Sequence, residues 1–377
     1  MARKGVQMAS AERAAPPSSC GGPFGERRPV VHLFGTVFFD LIFSELSSPP
    51  RPGTEVHTKG LGLSPGGSAN IAVALARLGA DVRLSASFAD DAFGHYLRAE
   101  LGREGVDLSG SSLLSGWTTP LTVSMAYGRD RSMVTYADVS PADASPALPD
   151  DFSADACFVT LGTADRAWLE TLRRRSGLIV ADVGWDPTER WPSNVLGQLA
   201  LVDVFLPNAA EAVAYTRAAS PEDAARILAG HVPLVVVKMG ARGAIAAGGP
   251  HAEPISVPAL PVEAVDTTGA GDVFDAAFIY GTLARWPVEQ RLRFANLCAG
   301  ESVRFAGGSL SAPCWRDIGA WWERQGCGAV RAAYSFLTGL LETCHPVRIC
   351  QRPCASMPLA AGMSAVERRE HGDPVTS

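Results

Sequence analysis

The stretch Asp266-Thr267-Thr268-Gly269-Ala270-Gly271-Asp272 is the part of this sequence best suited to chemistry. Two glycines one residue apart let successive backbone N–H groups point into one concavity at the start of a helix. The first-turn amides and the helix dipole both favour negative charge there, so the arrangement binds anions. A carboxylate at the mouth of such a nest is odd if the nest only holds phosphate. It makes sense if the amides of Gly269, Ala270 and Gly271 stabilise a transferring phosphoryl group while Asp272 takes a proton from the attacking hydroxyl. The plainer reading is that Asp272 caps a helix whose entry is glycine-rich. A second candidate is Pro65-Gly66-Gly67-Ser68-Ala69-Asn70. Paired glycines permit close backbone approach to a ligand, and an asparagine amide both donates to and accepts from hydroxyls. Here the plainer reading is a flexible loop with a helix cap.

The elements that would carry these segments can be read from periodicity. An apolar run at 30–35 predicts a buried strand, with Asp40 just past its end. Ile71, Ala74, Leu75 and Leu78 recur at helical spacing, and Gly79 supplies a stop. Val82, Leu84, Ala86 and Phe88 alternate as in a strand, and Phe93, Tyr96, Leu97 and Leu101 predict a second helix. Residues 118–137 break this rhythm and read as a hairpin, which with a strand-like piece near Val56 would make a small separate sheet. Strands are then expected at 157–161, 178–182, 202–206 and 234–238, with helical stretches between most of them. A further hairpin at 243–257 and helices at about 272–284 and 287–305 complete the pattern. Such alternation predicts an α/β fold with a mostly parallel sheet covered on both faces.

Composition bounds the function. The 377 residues are 47% hydrophobic and 19% charged, with a net charge of −6, the profile of a globular protein. Interspersed charges of both signs argue against a nucleic-acid partner. No segment is apolar for long enough to span a membrane, and the Arg-, Pro- and Ser-rich start lacks the hydrophobic stretch of a secretory signal. A cytoplasmic protein is expected. Cys157 and Cys298 read as small core residues. Cys344, Cys350 and Cys354 beside His345 lack the tight paired spacing of structural zinc.

The two glycine-rich segments, in this order and at this separation, resemble the two signature regions of the PfkB (ribokinase-like) carbohydrate kinase family. The resemblance covers about residues 30–318, and weaker features follow the family's order. Asp40 matches an aspartate that binds sugar hydroxyls, and Asp90-Asp91-Ala92-Phe93-Gly94 matches the D-x-F-G stretch. Asn208 and Glu211 match N-x-x-E, associated with magnesium and phosphate. Lys238, Gly240 and Gly243 match the K-x-G-x-x-G turn beside the nucleotide. Taken singly, Asp40 reads as a turn residue and the Asn208/Glu211 pair as an ordinary helix start.

The resemblance implies a three-layer ribokinase-like fold whose small β lid comprises pieces near 46–62 and 118–137. It implies ATP and Mg²⁺ as cofactors and transfer of the γ-phosphoryl group to a hydroxyl of a sugar or sugar-like molecule. Asp40, Gly66, Gly67 and Asn70 would hold the substrate, and Lys238, Gly240, Gly243 and Asn296 the nucleotide. Asp266, Thr268 and Ser311 would hold a monovalent cation, K⁺ being the candidate. Residues 1–28 would be a disordered leader, 29–318 the kinase domain, 319–343 a helical extension and 344–377 a poorly ordered tail. A lid sheet with one apolar face can pair with a second copy, which leaves a homodimer through the lid open. Two departures stand out: Asp275 replaces a small or neutral residue, and the Gly66-Gly67-Ser68 stretch lacks the ribokinase lysine. Asp275 would either raise the pKa of Asp272 or face solvent. A nucleoside kinase of the same family, or a catalytically silent sugar-binding regulatory protein, remains the alternative.

Overall fold

The computed structural model describes residues 23–24, 27–127, 130–138, 146, 148–162, 165–186, 188–251, 253–326 and 328–344. The early strands are β1 (Val30–Phe34), β2 (Val37–Leu46), β3 (Gly60–Gly67), β4 (Asp81–Ser85), β5 (Ser87–Ala89), β6 (Ser112–Leu114) and β7 (Leu121–Tyr127). Then come β8 (Asp130–Tyr136), β9 (Ala156–Leu161), β10 (Ile179–Val183), β11 (Val204–Phe205), β12 (Leu234–Lys238), β13 (Ala244–Gly248) and β14 (Ile255–Val257). The helices are α1 (Ser68–Leu78), α2 (Ala92–Arg103), α3 (Arg166–Arg175), α4 (Asn194–Gln198), α5 (Ala209–Thr216) and α6 (Pro221–Leu228). They continue with α7 (Ala270–Leu283), α8 (Val288–Ser302), α9 (Trp315–Arg324), α10 (Ala329–Ala333) and α11 (Thr338–Cys344).

Eight strands form the main sheet in the order β14-β13-β12-β11-β10-β9-β1-β4. Neighbours from β4 through β12 are parallel, whereas β13 and β14 add on antiparallel. The apolar runs at 178–182 and 234–238 follow from burial on both faces. Val180 and Val236 point into the core layer shared with α1, α7 and α8. Their neighbours Ile179, Ala181, Val235 and Val237 point into the layer on the opposite face. This is a three-layer α/β body, as expected.

A second sheet, β3-β2-β7-β8, stands off the body as the lid. The lid's first piece is not the segment around Val56, which forms no strand. The lid begins at Val37, with only two residues between it and β1, so the chain passes from the main sheet directly into the lid. That run hid its alternation: Leu41 and Phe43 on its outer face are apolar too, so no polar residue marked the period there. Asp40 is therefore an interior strand residue paired with Ser64 and Thr122, not a turn residue.

Other differences are local. The helix expected at 71–78 starts at Ser68 and so contains Asn70. The run from Val82 to Phe88 divides into β4 and β5, the latter pairing with β6. Gly79 ends α1 in the left-handed conformation, φ 98°, as a C-cap glycine should. Asp91 of the D-x-F-G stretch is a cap: it accepts from the Gly94 amide at 2.7 Å and from both the amide and hydroxyl of Thr119.

The leader does not end cleanly at residue 28. The Phe24 ring lies 5.1 Å from Tyr280, and Arg27 donates to both oxygens of Asp155. In the C-terminal extension, Trp321, Trp322, Tyr334, Leu337 and Leu341 join the core. His345, Cys350, Cys354 and the expected tail beyond Cys344 lie outside the described residues. Among the described residues, no helix is long and apolar enough to cross a membrane.

Candidate active site

Asp272 sits at the start of α7, whose N-cap is Gly269 at φ 74°. Glycine is needed at 269, where the chain turns through the left-handed region before entering the helix. Gly271 has an ordinary helical conformation, and a side chain there would first meet Lys238 Nζ, at 3.6 Å. The first-turn amides are those of Ala270, Gly271 and Asp272. Of these, Ala270 already donates to Thr267 O at 3.3 Å. The middle amide of the expected nest is thus already engaged within the turn.

The capping role for Asp272 is not what the geometry shows. Asp272 lies inside the first turn, and the helix start has no side-chain cap. Its Oδ2 instead accepts a hydrogen bond of 2.8 Å from Asn70 Nδ2 on α1. Asn70 also packs against Gly269, whose missing side chain makes room: a Cβ there would lie 3.2 Å from Asn70 Oδ1. Asn70 Oδ1 is buried and has no hydrogen-bond partner among the described residues. Burial pushes the Asp272 carboxyl up to about 6, with Lys238 and the Asn70 bond opposing the rise and Asp182 adding to it. A carboxylate poised near neutral pH is suited to proton transfer.

Asp40 reaches the same place from the lid. Its carboxylate lies across Gly66: a Cβ at that glycine would sit 2.2 Å from Asp40 Oδ2. Burial, reinforced by the nearby Asp272, pushes the Asp40 carboxyl up to about 7. Gly67 serves the fold, at φ 62°, with Thr36 O only 2.5 Å from where a Cβ would be. Lid and body are stitched together at the loop before α7. Ser124 on β7 bonds Thr268 at 3.2 Å, and Arg131 on β8 donates to Thr267 at 2.9 Å.

Asp266 ties that loop to the 307–311 turn. One of its oxygens accepts from the Thr268 amide at 2.9 Å and the other from the Gly307 amide at 3.2 Å. Ser311 turns inward and donates to Gly308 O at 2.6 Å. The three residues assigned to a monovalent cation are thus drawn toward one region, mostly as partners of backbone groups.

Asn208 and Glu211 form a reciprocal capping box at the start of α5. Glu211 N donates to Asn208 Oδ1 at 3.0 Å, and Asn208 N donates to Glu211 Oε2 at 2.8 Å. The ordinary helix start is what their hydrogen bonds describe. Glu211 is also buried, and burial with the adjacent Asp182 pushes its carboxyl up to about 8.

The expected nucleotide residues divide. Gly240, at φ 58°, has open space where a side chain would be, whereas at Gly243 a Cβ would strike Val257 O at 2.1 Å. Asn296 is buried and donates to Val257 O at 3.1 Å and Pro258 O at 3.2 Å. Gly243 and Asn296 therefore converge on the chain leaving β14 and shape it. Lys238 is turned inward, its Nζ 2.8 Å from Asp182 Oδ2 and 2.8 Å from Asp275 Oδ2. Asp275 does not face solvent, being 0% exposed.

Sequence reasoning missed Asp182, Arg131, Thr267 and Ser124. Asp182 had a signal: it is the acid that closes an apolar run, hence the residue at the carboxyl end of a parallel strand, where ligands of such sheets bind. Arg131 had none, because only the lid register puts it on the same face as Asp40. Ala126 pairs with Arg131 as Ser124 pairs with Met133, and Ser124 lies beside Ile42, two residues along β2 from Asp40.

Comparison with known proteins gives the family. Residues 30–314 match the pfkB family carbohydrate kinase pattern. The chain is 30% identical to a cytidine kinase of Thermococcus kodakarensis, over 64% of this chain and 88% of that one. It is 31% identical to an ATP-dependent ribose-1-phosphate kinase of Halopiger xanaduensis, over 66% of this chain and 82% of the other. The Arabidopsis thaliana ribokinase solved with ribose and ATP superposes with a TM-score of 0.61 at 23% identity, covering 76% of this chain and 96% of that one. With its three-layer body, its lid and the Gly269–Asp272 helix start in place, this chain belongs to the pfkB family of carbohydrate kinases and has the ribokinase fold.

Proposed function

We propose that the protein transfers the γ-phosphoryl group of ATP to a hydroxyl of a small sugar or sugar-like molecule, with Asp272 as the base. The observation that carries this is the placement of Asp272 inside the first turn of α7. Its carboxylate is held by Asn70 Nδ2 at 2.8 Å beside first-turn amides free of any side-chain cap. Asp40 and the unpartnered Asn70 Oδ1 are the groups that would hold substrate hydroxyls. A buried acceptor without a donor is costly, and a hydroxyl-rich ligand satisfies it. The Gly271 and Asp272 amides are the donors that would meet the phosphoryl oxygens.

Magnesium needs few protein ligands because it keeps waters and takes phosphate oxygens. Glu211, buried at the start of α5, fits that requirement, and the ion would neutralise phosphate charge. A monovalent cation would draw oxygen ligands from the 266–268 and 307–311 segments that Asp266 joins. The nucleotide would lie along the open turn at Gly240. The lid's outer face, where Leu61, Val134 and Tyr136 are 52%, 61% and 54% exposed, would seat a second copy.

A nucleoside acceptor is the second reading, supported by the similarity to a cytidine kinase. The test is a screen of sugars, sugar phosphates and nucleosides with coupled detection of ADP release. Turnover that Asp272→Asn lowers by about 10²–10⁴-fold supports the proposal. Binding of these compounds without ADP release from any of them would favour a silent binder instead.

A further inference from the structure

We propose that Lys238, clamped between Asp182 and Asp275, is a positioning residue of the transfer reaction: an internal cation that keeps Asp272 ionised, and not a ligand of the nucleotide. This rests on the reading of Asp272 as the base. The three acidic and basic side chains come from separate elements that meet beneath α7. Asp182 is the penultimate residue of β10, Lys238 ends β12, and Asp275 lies one turn after Asp272 on the same face of α7. The ammonium makes bonds of 2.8 Å to Asp182 and of 2.8 and 3.0 Å to Asp275. Only 11% of the Lys238 side chain is exposed, against 0% for Asp275. A phosphate could reach this nitrogen only by displacing one of two carboxylates. Removing the lysine would in turn leave Asp275 as a buried carboxyl with no counter-charge.

The position of the ammonium explains its use. It lies 3.6 Å from where a Gly271 side chain would begin, directly behind the helix start that carries Asp272. Glycine at 271 is what lets the charge sit so close. The other charges acting on Asp272 are mainly carboxylates: Asp40 from β2, Asp182 from β10, Glu211 from α5 and Asp275 from its own helix. Arg131 from the lid is the other cation acting on it. Without Lys238 the surrounding negative charge would hold a proton on Asp272 near neutral pH, and a protonated acid cannot accept one from a hydroxyl. Asp275 anchors the cation from the core side and Asp182 from the strand side. The aspartate at position 275 thus has a role that neither solvent exposure nor direct contact with substrate would give it.

The test follows the Asp272 carboxyl itself, by ¹³C titration of aspartate-labelled protein with the resonance assigned by its loss in Asp272→Asn. Lys238→Met should raise the Asp272 midpoint by about 1 unit, and Lys238→Arg should restore it. Asp182→Asn removes a neighbouring negative charge and should lower the midpoint. Opposite shifts from the two ends of one ion pair are not produced by general damage to the fold. If Lys238→Met does not fold, the downward shift in Asp182→Asn remains the deciding measurement. Calorimetry with ATP should give Lys238→Met an affinity within about threefold of wild type. Midpoints that do not move, or a tenfold loss of ATP affinity in Lys238→Met, would overturn the proposal. The titration reads the coupling whether or not Asp272 is the base. Failure of that reading would appear separately, as turnover retained in Asp272→Asn.

Discussion

Replacing Asp40 by asparagine should stabilise the unliganded protein at alkaline pH while it disables substrate binding. The Asp40 carboxyl is buried, and its folded-state value is pushed from an ordinary 3.8 up to about 7. A group raised in this way contributes stability through its protonated form. That contribution is complete below 3.8, declines as pH rises, and is gone above about 7. At about 1.4 kcal/mol per unit, the rise corresponds to a ceiling of about 4 kcal/mol. Between pH 5 and pH 8.5 the wild type should lose roughly 3 kcal/mol relative to Asp40→Asn, which carries no ionisable group there. Urea unfolding of both proteins at the two pH values measures the gap. The same substitution should weaken substrate binding by about 1.5–3 kcal/mol, because a charged acceptor of hydroxyl hydrogen bonds is lost. A gap that does not change with pH, or one that favours the wild type at pH 8.5, would refute the assignment of Asp40 as a strained buried carboxyl.

Asp272→Asn should drop kcat by about 10²–10⁴-fold with substrate affinity by calorimetry nearly unchanged, since the amide keeps the shape and the Asn70 neighbour. The acid limb of kcat/KM in the wild type should fall near pH 6, where Asp272 takes up its proton. Gly66→Ala should raise KM at least tenfold, because the new Cβ would overlap the Asp40 carboxylate, 2.2 Å away, and push it from its place; an unchanged KM would separate Asp40 from the substrate. Leu337→Ala, at a fully buried position of the C-terminal extension, should cost about 2–5 kcal/mol by chemical denaturation.

The sequence by itself determined the layered body, the end of α1 and the start of α7. Strands buried on both faces must be apolar throughout, so β9, β10 and β12 stand out as runs, and Gly79 and Gly269 mark backbone that other residues resist. It also offered Asp272 and Asn70 as site candidates, because both stand in glycine-rich segments, whereas Asp40 came from the family resemblance alone. The lid was legible only in part. β7 and β8 alternate visibly, but β2 carries apolar residues on both faces, so its strand could not be told from a loop of mixed composition. The pairing of charges was decided by tertiary structure alone. Lys238 looks from the sequence like a residue of the nucleotide turn and Asp275 like a solvated helix position. Their 2.8 Å contact exists because β12 and α7, distant in sequence, pack with those two side chains toward each other. Arg131 enters the site only through the strand register of the lid, and Asp182 only through the neighbouring order of β10 and β12 around β11. Local pattern reveals which backbone is constrained. Which charge faces which is fixed by long-range packing, where burial makes each unpaired carboxylate costly and the fold must supply its partner.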